Sequence, residues 1–435
     1  MKKMKITTLV ILCILTVGLC GILAYGIAGH SIYVGGYNGG GYASHGSPQL
    51  VMEKEIPLDG IDHISLQYDM NNNDIRIYES EEDILTIREY NELDLEEDEL
   101  STVTVAGSGI EIRGKKREGK KFQLQIGRFG IRSVYGYTEI GLPASYKGQL
   151  LLSTASGDIR SEMDIVLESG FQAETISGNI MIPDITAQTV SLGCSSGDVK
   201  VSAVSTDVSG LTGAIDIATI SGDINIGELT GELDIGSSSG DITVKQLTGT
   251  TKIKSISGNI KSDTVQGNTQ LGTTSGDITV QCIDGIVKAE SSSGSIKILA
   301  GDGDRTVNTI SGDIRMEGVA GSWETHTTSG EVWIKAQEGS GSISTTSGDI
   351  NLKLGKLAGT LSVGSSSGTA KIQLSPDNMF EFKADTSSGD IETFFDDELS
   401  FSKKGNSAHG THGDSSGANS IVVKTTSGDV QVTEG

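Results

Sequence analysis

Gly222–Ser239 reads GDINIGELTGELDIGSSS, and the next stretch, Gly240–Ser257, reads GDITVKQLTGTTKIKSIS. Laid one over the other, they agree in where Gly falls, where Ile and Val alternate with polar residues, and where Ser closes the unit. The dipeptide Ser-Gly recurs with its Gly at 157, 178, 197, 222, 240, 258, 276, 294, 312, 330, 348, 368, 389 and 428. From Gly222 to Gly348 seven successive gaps are each 18 residues, and a second Gly stands nine residues after each Ser-Gly, from Gly231 through Gly339. Spacing this regular belongs to repeat architectures, because a domain of varied elements has no reason to keep it.

Alternation assigns faces. After each Ser-Gly the apolar positions are Ile224, Ile242, Ile260, Ile278, Ile296, Ile314, Val332 and Ile350. Two residues on come Ile226, Val244, Val280, Ile298, Met316, Ile334 and Leu352, with Ser262 the exception. The second half of each unit contributes Ile235, Ile253, Leu271, Ala289, Val307, Ile343 and Val363, with Thr325 the exception. Period-two alternation between Gly-bearing corners describes short strands with one face inward. Stacked in register, these positions form columns inside an all-β, single-chain parallel β-solenoid (β-helix) with coils of about 18 residues. A hydroxyl column shares the inward parity: Ser237, Ser255, Thr273, Ser291, Thr309, Thr327 and Thr345. It is predicted to hydrogen-bond up and down the stack. A single coil buries too few side chains to fold alone, so the array depends on stacking and on caps at its ends.

Outward from the array the chain divides into five parts. Residues 1–29 carry MKKMK and then an uncharged run, Ile6–Ala28, of 23 residues. A bilayer needs about 20, so the run is predicted to be a transmembrane signal anchor. Lys2, Lys3 and Lys5 put the N-terminus in the cytoplasm and export the rest. A cleaved signal peptide or a lipid-modified Cys20 are the rival readings, and both export the rest as well. Residues 30–48, rich in Gly, Tyr and Ser, are a tether. Residues 49–145 are an irregular β region and N-terminal cap, within which Asn73-Asp74-Ile75 and Gly109-Ile110-Glu111-Ile112 look like worn copies of the repeat. Its acidic stretch Glu79–Glu99 and basic loop Gly114–Lys121 are expected to be solvated hairpin edges. Residues 146–375 are the regular solenoid. Residues 376–435 form a C-terminal β cap, with Phe380, Phe382, Phe394, Phe395 and Phe401 as a plug and 403–420 as a mobile loop.

Composition excludes some partners. With 57 acidic and 33 basic residues the net charge is −24, the wrong sign for a nucleic-acid surface. Cys194 and Cys282 lie several coils apart, so they are read as two small buried thiols rather than a disulfide.

Chemistry-bearing residues are few. Asp follows most Ser-Gly pairs, and Asp241, Asp277, Asp313 and Asp349 are the candidates for a calcium ladder. The competing reading is a corner residue that hydrogen-bonds backbone beside a permissive Gly. Calcium rolls use a denser GGxGxDxUx repeat, and Asn259, Ser295 and Thr369 interrupt this ladder, which favours the corner. His409 and His412, with Asp414, are candidates for a transition metal. Trp333 falls in an outward column with Thr243, Lys261, Thr279, Lys297, Arg315 and Asn351; with His326 and Trp323 it is the candidate contact for a sugar or protein. Polysaccharide lyase or hydrolase chemistry needs paired acid–base groups in a cleft. Between Gly222 and Gly368 only Arg305, Arg315 and His326 could accompany the carboxylates among arginines and histidines, so no catalytic residue and no cofactor is assigned.

With these residues in view, the chain resembles a bacterial adhesin-type family of unknown function built on SGDI and SGNI strand repeats. Ser156-Gly157-Asp158-Ile159, Ser177-Gly178-Asn179-Ile180 and Ser221-Gly222-Asp223-Ile224 carry the resemblance, with Glu139-Ile140-Gly141-Leu142-Pro143 ahead of them. The resemblance implies a β-solenoid at the bacterial envelope and transfers no catalytic residue. The expected function is a non-enzymatic surface-binding or scaffolding rod that engages a cell-wall polymer, glycan or envelope protein. An envelope-stress sensor acting through a membrane partner is the alternative.

Overall fold

The computed structural model describes residues 44–68, 73–115, 135–208, 211–413 and 419–435. The predicted anchor Ile6–Ala28, Cys13, Cys20, most of the tether, most of the basic loop and Asp414 lie outside the described residues. Among the described residues no helix is long and apolar enough to cross a membrane, and the helical turn Asp396–Glu398 stands among strands.

The central coils stack in parallel register. Ile224 pairs with Ile242, Ile242 with Ile260, Ile260 with Ile278, and so on through Ile296, Ile314, Val332 and Ile350. We call the strand segment after each Ser-Gly the leading stretch and the one before the next Ser-Gly the trailing stretch. In several coils the two are one strand, as in Ile242–Ser255, bent at a mid-coil glycine. Gly231, Gly249, Gly267, Gly285, Gly303 and Gly321 hold φ between +103° and +142° there, a region that side chains with a Cβ avoid. The corner glycine is required for a different reason. A Cβ on Gly276 would sit well inside 3.0 Å of the Gly258 carbonyl oxygen, and each corner repeats this backbone-on-backbone approach.

Each coil buries more columns than alternation predicts. Leu229, Leu247, Val265, Ile283 and Val319 are buried midway through the coil, and Leu233, Val287 and Leu361 begin the trailing column set. The chain shifts phase between Ile226 and Leu229, so a strict period of two steps over the first of these. The hydroxyl column works differently from expectation. Thr273 accepts the Gly276 N–H at 3.0 Å and donates to the Gly258 carbonyl at 3.2 Å; Thr309, Thr327 and Thr345 repeat the pair of bonds. The hydroxyls therefore tie one corner to the next through glycine backbone. Direct hydroxyl-to-hydroxyl contact occurs between Thr219 and Ser237, at 3.1 Å. Cys194 takes a place in this column, accepting the Gly197 N–H at 2.9 Å, and burial pushes its thiol up. Cys282 is only half-buried, against expectation.

At both ends the order of coils in the stack departs from their order in the chain. His63–Tyr68 and Asn73–Ser80, early in the chain, lie between the coil of Gln149–Thr154 and Ile159–Ser161 and the coil of Gly109–Arg113 and Gly136–Pro143. Asn73-Asp74-Ile75 does occupy a corner, beneath Gly157. Gly109-Ile110-Glu111-Ile112 instead forms a trailing stretch, over His63–Gln67. At the other end, Ser420–Thr425 and Val430–Glu434 are inserted between the coil ending in Ala370–Leu374 and the coil of Phe380–Asp385 and Ile391–Thr393.

Antiparallel strands close both ends. Ile84–Leu93 lies on Gly136–Pro143, Ser44–Pro57 on Ile84–Leu93, and Thr102–Ala106 on Gly109–Arg113. The first residues of Ser44–Pro57, expected in the tether, are strand. Glu79–Glu99 is not simply a solvated edge: Leu85, Ile87 and Glu89 within it are wholly buried, and Glu89 accepts the Ser101 N–H at 3.0 Å. At the C-terminal end Ser407–His412 lies on Phe380–Asp385 and Leu399–Phe401 on Ser407–His412, so part of the expected loop is strand. Phe395 packs on Phe380, Phe382 and Phe394 with ring centroids 4.9–5.4 Å apart. Phe401, assigned to the same plug, is 40% exposed.

Candidate functional site

Outward residues of the leading stretches form one continuous column. Coil by coil it runs Thr243, Lys261, Thr279, Lys297, Arg315, Trp333, Asn351 and Lys371. Each position is fixed by the buried inward residues on either side of it, so the column follows the core beneath. Trp333 is half-buried, and the Arg315 guanidinium lies over its ring, 4.6 Å from the centroid. Arg315 is also paired with Glu317 at 2.6 Å. A surface cation–π contact of this kind contributes about 0.5–1 kcal/mol, and the indole joins an apolar ring to one polar N–H.

The other two predicted contacts are elsewhere. Trp323 is core: it is 2% exposed, in the column of Leu233, Val287 and Leu361. Space for it comes from the coil above, where a Cβ on Gly339 would overlap the indole and the positive-φ bend moves to Gly341. Below it, Arg305 is also buried, its guanidinium donating to the carbonyls of Gly301, Gly303 and Ala320. Burial draws its pKa down, against the pull of Asp302 and Asp284. His326 is exposed on the trailing side of the corner, 2.9 Å from the Ser344 hydroxyl. It borders a shallow groove of about 480 Å³ lined by Glu290, Asn308, Ile310 and Glu324. Trp333 and His326 thus face opposite sides of the Ser-Gly corner and do not form one site.

Corner carboxylates serve the backbone. Asp223 Oδ1 accepts the Asp241 N–H at 2.8 Å, Asp241 accepts that of Asn259 at 2.7 Å, and Asp277 that of Ser295 at 2.8 Å. Asp313 and Asp349 do the same for Glu331 and Thr369. The acceptor in each such rung is Asp or Asn, whose short side chains reach the next coil. This is the corner role, with a rung wherever the corner residue below is one of these Asp or Asn side chains. Among the described residues no group of three or more His, Cys, Asp or Glu is placed to hold a metal ion. His409 and His412 stand three apart on the strand Ser407–His412 and so project to opposite faces. His409 is exposed; His412 packs on Phe394 and Phe395 and pairs with Glu398 at 3.1 Å. They do not converge.

One cluster had no sequence signal. On the N-terminal cap Tyr90 stacks on Tyr137 at 4.5 Å, Arg76 lies 3.9 Å over Tyr137, and Tyr135 donates to Asp74 at 2.6 Å. Burial raises the phenols of Tyr90, Tyr135 and Tyr137, helped by Glu139 at Tyr90 and Tyr137 and by Asp74 at Tyr135. These contacts join strands distant in sequence, antiparallel at Tyr90 and Tyr137 and parallel at Arg76 and Tyr137, which no local periodicity announces. On the trailing face, burial and Asp234 raise Asp216, while Lys252, ion-paired with Asp234, opposes them.

Fold and face together define a repeat-built β-solenoid whose presented chemistry lies on flat lateral sheets. The chain belongs to the Toastrack DUF4097 family, whose profile matches residues 61–281 and 302–433. Among solved structures it is similar to a putative cell adhesion protein from Clostridium sporogenes at 10% identity and a TM-score of 0.20, covering 89% of this chain and 100% of that one. A putative adhesin from Bacteroides fragilis is 16% identical with a TM-score of 0.27, over 62% of this chain and 97% of that one. A putative lipid binding protein from Parabacteroides distasonis is 14% identical with a TM-score of 0.21, over 76% and 98%. No curated protein matches the chain.

Proposed function

We propose that this protein is a non-enzymatic binding or scaffolding rod of the bacterial cell surface. In this reading Ile6–Ala28 hold it in the membrane as a single span, with the N-terminus cytoplasmic and the solenoid outside. The leading lateral face engages a cell-wall polymer, glycan or envelope protein. Trp333 carries the reading. The chain has two tryptophans; Trp323 fills the core, whereas Trp333 stands in an outward column beside Arg315, where packing does not call for it. Aromatic and arginine side chains dominate binding energy at interfaces.

The test is co-sedimentation of the detergent-purified full chain with isolated bacterial cell walls, with and without calcium, beside Trp333→Ala. Saturable binding that falls in Trp333→Ala supports the reading and locates the face. Absence of binding under both conditions removes the wall-binding role and transfers weight to a regulator that acts through a membrane partner.

A further inference from the structure

We propose that the leading face binds a linear, uronic-acid-bearing polysaccharide laid along the stacking axis. Trp333 lies against a sugar ring, and lysines two coils away on either side meet carboxylates. This rests on the binding role proposed above and specifies its ligand.

The first support is a rhythm in the column. Lys261, Lys297, Trp333 and Lys371 each stand two coils from the next. Paired strands lie about 4.8 Å apart, so two coils span about 9.6 Å, close to the repeat of an extended β-linked disaccharide. Between these residues stand Thr279, Arg315 and Asn351, all able to donate hydrogen bonds to sugar hydroxyls. A polymer lying across the axis would meet Trp333 and Lys335 on one leading stretch; one lying along it meets the whole column.

Charge decides the class of polymer. In the coils from Ile296 to Leu374 the outward leading positions hold Lys297, Arg315, Lys335, Lys353 and Lys371 against Glu317, in a chain of 57 acidic and 33 basic residues. Asp313, Glu331 and Asp349 border this face at the corner, and two of them already accept a backbone N–H. A neutral glycan would leave the lysines without partners. A polyol phosphate would satisfy them but offers no ring to Trp333. An acidic polysaccharide uses both.

The full chain in detergent is titrated with oligomers of β-linked polymannuronate, with cello-oligosaccharides as the neutral arm and poly(glycerol phosphate) as the ringless anionic arm. Polymannuronate is expected to bind best, to gain affinity as oligomers lengthen past one two-coil repeat, and to weaken as salt is raised. Trp333→Ala should lose at least about tenfold in affinity. Lys297→Gln with Lys371→Gln should weaken binding and flatten its salt dependence. Lys252→Gln, on the trailing face, should change nothing; circular dichroism checks that each variant is folded. Equal binding by a folded Trp333→Ala protein, or equally tight binding of either control polymer, overturns the proposal. Trp333-dependent binding to walls without binding to polymannuronate shows the ligand class to be wrong while the binding role stands. If neither walls nor polymer bind, both readings fall.

Discussion

The central coils and the two ends use the same coil-to-coil interface and arrange it differently. In the centre, order in the chain is order in the stack: Gly276 lies on Gly258, and Gly294 on Gly276. At the C-terminal end Gly428 lies on Gly368, and Gly389 lies on Gly428, so the last coil of the chain is the penultimate coil of the stack. The N-terminal end mirrors this, with His63–Ser80 inside and Gly109–Pro143 outside. Because the coils share the same corner and the same Ile columns, a coil need not sit on its neighbour in sequence. Exposed strand edges invite pairing; here the outermost coil at each end is covered by antiparallel strands.

The comparison breaks most severely if residues 419–435 are deleted. In an ordinary solenoid, loss of the last coil shortens the stack by one. Here it removes the layer that covers Leu361, Val363 and Ile372 from one side and Phe382 and Ile391 from the other. Hydrogen exchange should show residues 360–393 losing protection together in the deletion, whereas in the intact chain Ile421–Val423 exchange more slowly than Leu399–Phe401. Retained protection at 380–393 would mean that this coil has settled directly on its sequence neighbour, and that insertion is optional.

Within the central array, glycine position separates a large effect from none. Gly276→Ala drives a methyl into the Gly258 carbonyl, where backbone in both coils is fixed by pairing. It should cost about 4 kcal/mol in urea denaturation, the range of severe backbone and packing lesions. Gly236→Ala, outward in a trailing stretch with nothing within 4 Å of its Cβ position, should stay within about 0.5 kcal/mol. Similar losses at both sites would remove the close approach as the reason for the Ser-Gly repeat.

The parts legible from sequence are those that repeat. Corner glycines, the Ile columns and the hydroxyl column recur every 18 residues from Gly222 to Gly348, so a single coil predicts its neighbours. Trp323 was misplaced because its column reads Leu233, Thr251, Thr269, Val287, Arg305, Trp323, Gly341 and Leu361. Three aliphatic residues in eight give no hydropathy signal, and large and small residues compensate across coils instead. Coil order at the ends is illegible for the opposite reason: interchangeable interfaces leave nothing in the sequence to say which coil sits on which. The Trp333 column is legible as outward and partly basic, and Lys335 and Lys353 extend that basic character beyond it.

The smallest effect comes from two threonines on one strand, and their signs should differ. Thr327 and Thr325 both face inward and are at most 1% exposed. Thr327 accepts the Gly330 N–H and donates to the Gly312 carbonyl, each at 3.1 Å. Thr325 stands in an aliphatic column, and its hydroxyl has no hydrogen-bond partner among the described residues. Valine matches threonine in shape and keeps the β-branch, so strand preference is nearly unchanged by either substitution. Thr327→Val leaves a donor and an acceptor unsatisfied in the interior and should cost about 1–3 kcal/mol. Thr325→Val removes a hydroxyl that is buried without compensation and should stabilise by about 1 kcal/mol. Thermal or urea unfolding of the two variants reads the difference directly. A loss in both would mean that Thr325 has a partner, most simply a buried water, and that the coil interior is wetter than its aliphatic columns imply. A gain at Thr325 alone confines the hydrogen-bonding duty to the corner, where one hydroxyl per coil holds one glycine to the next.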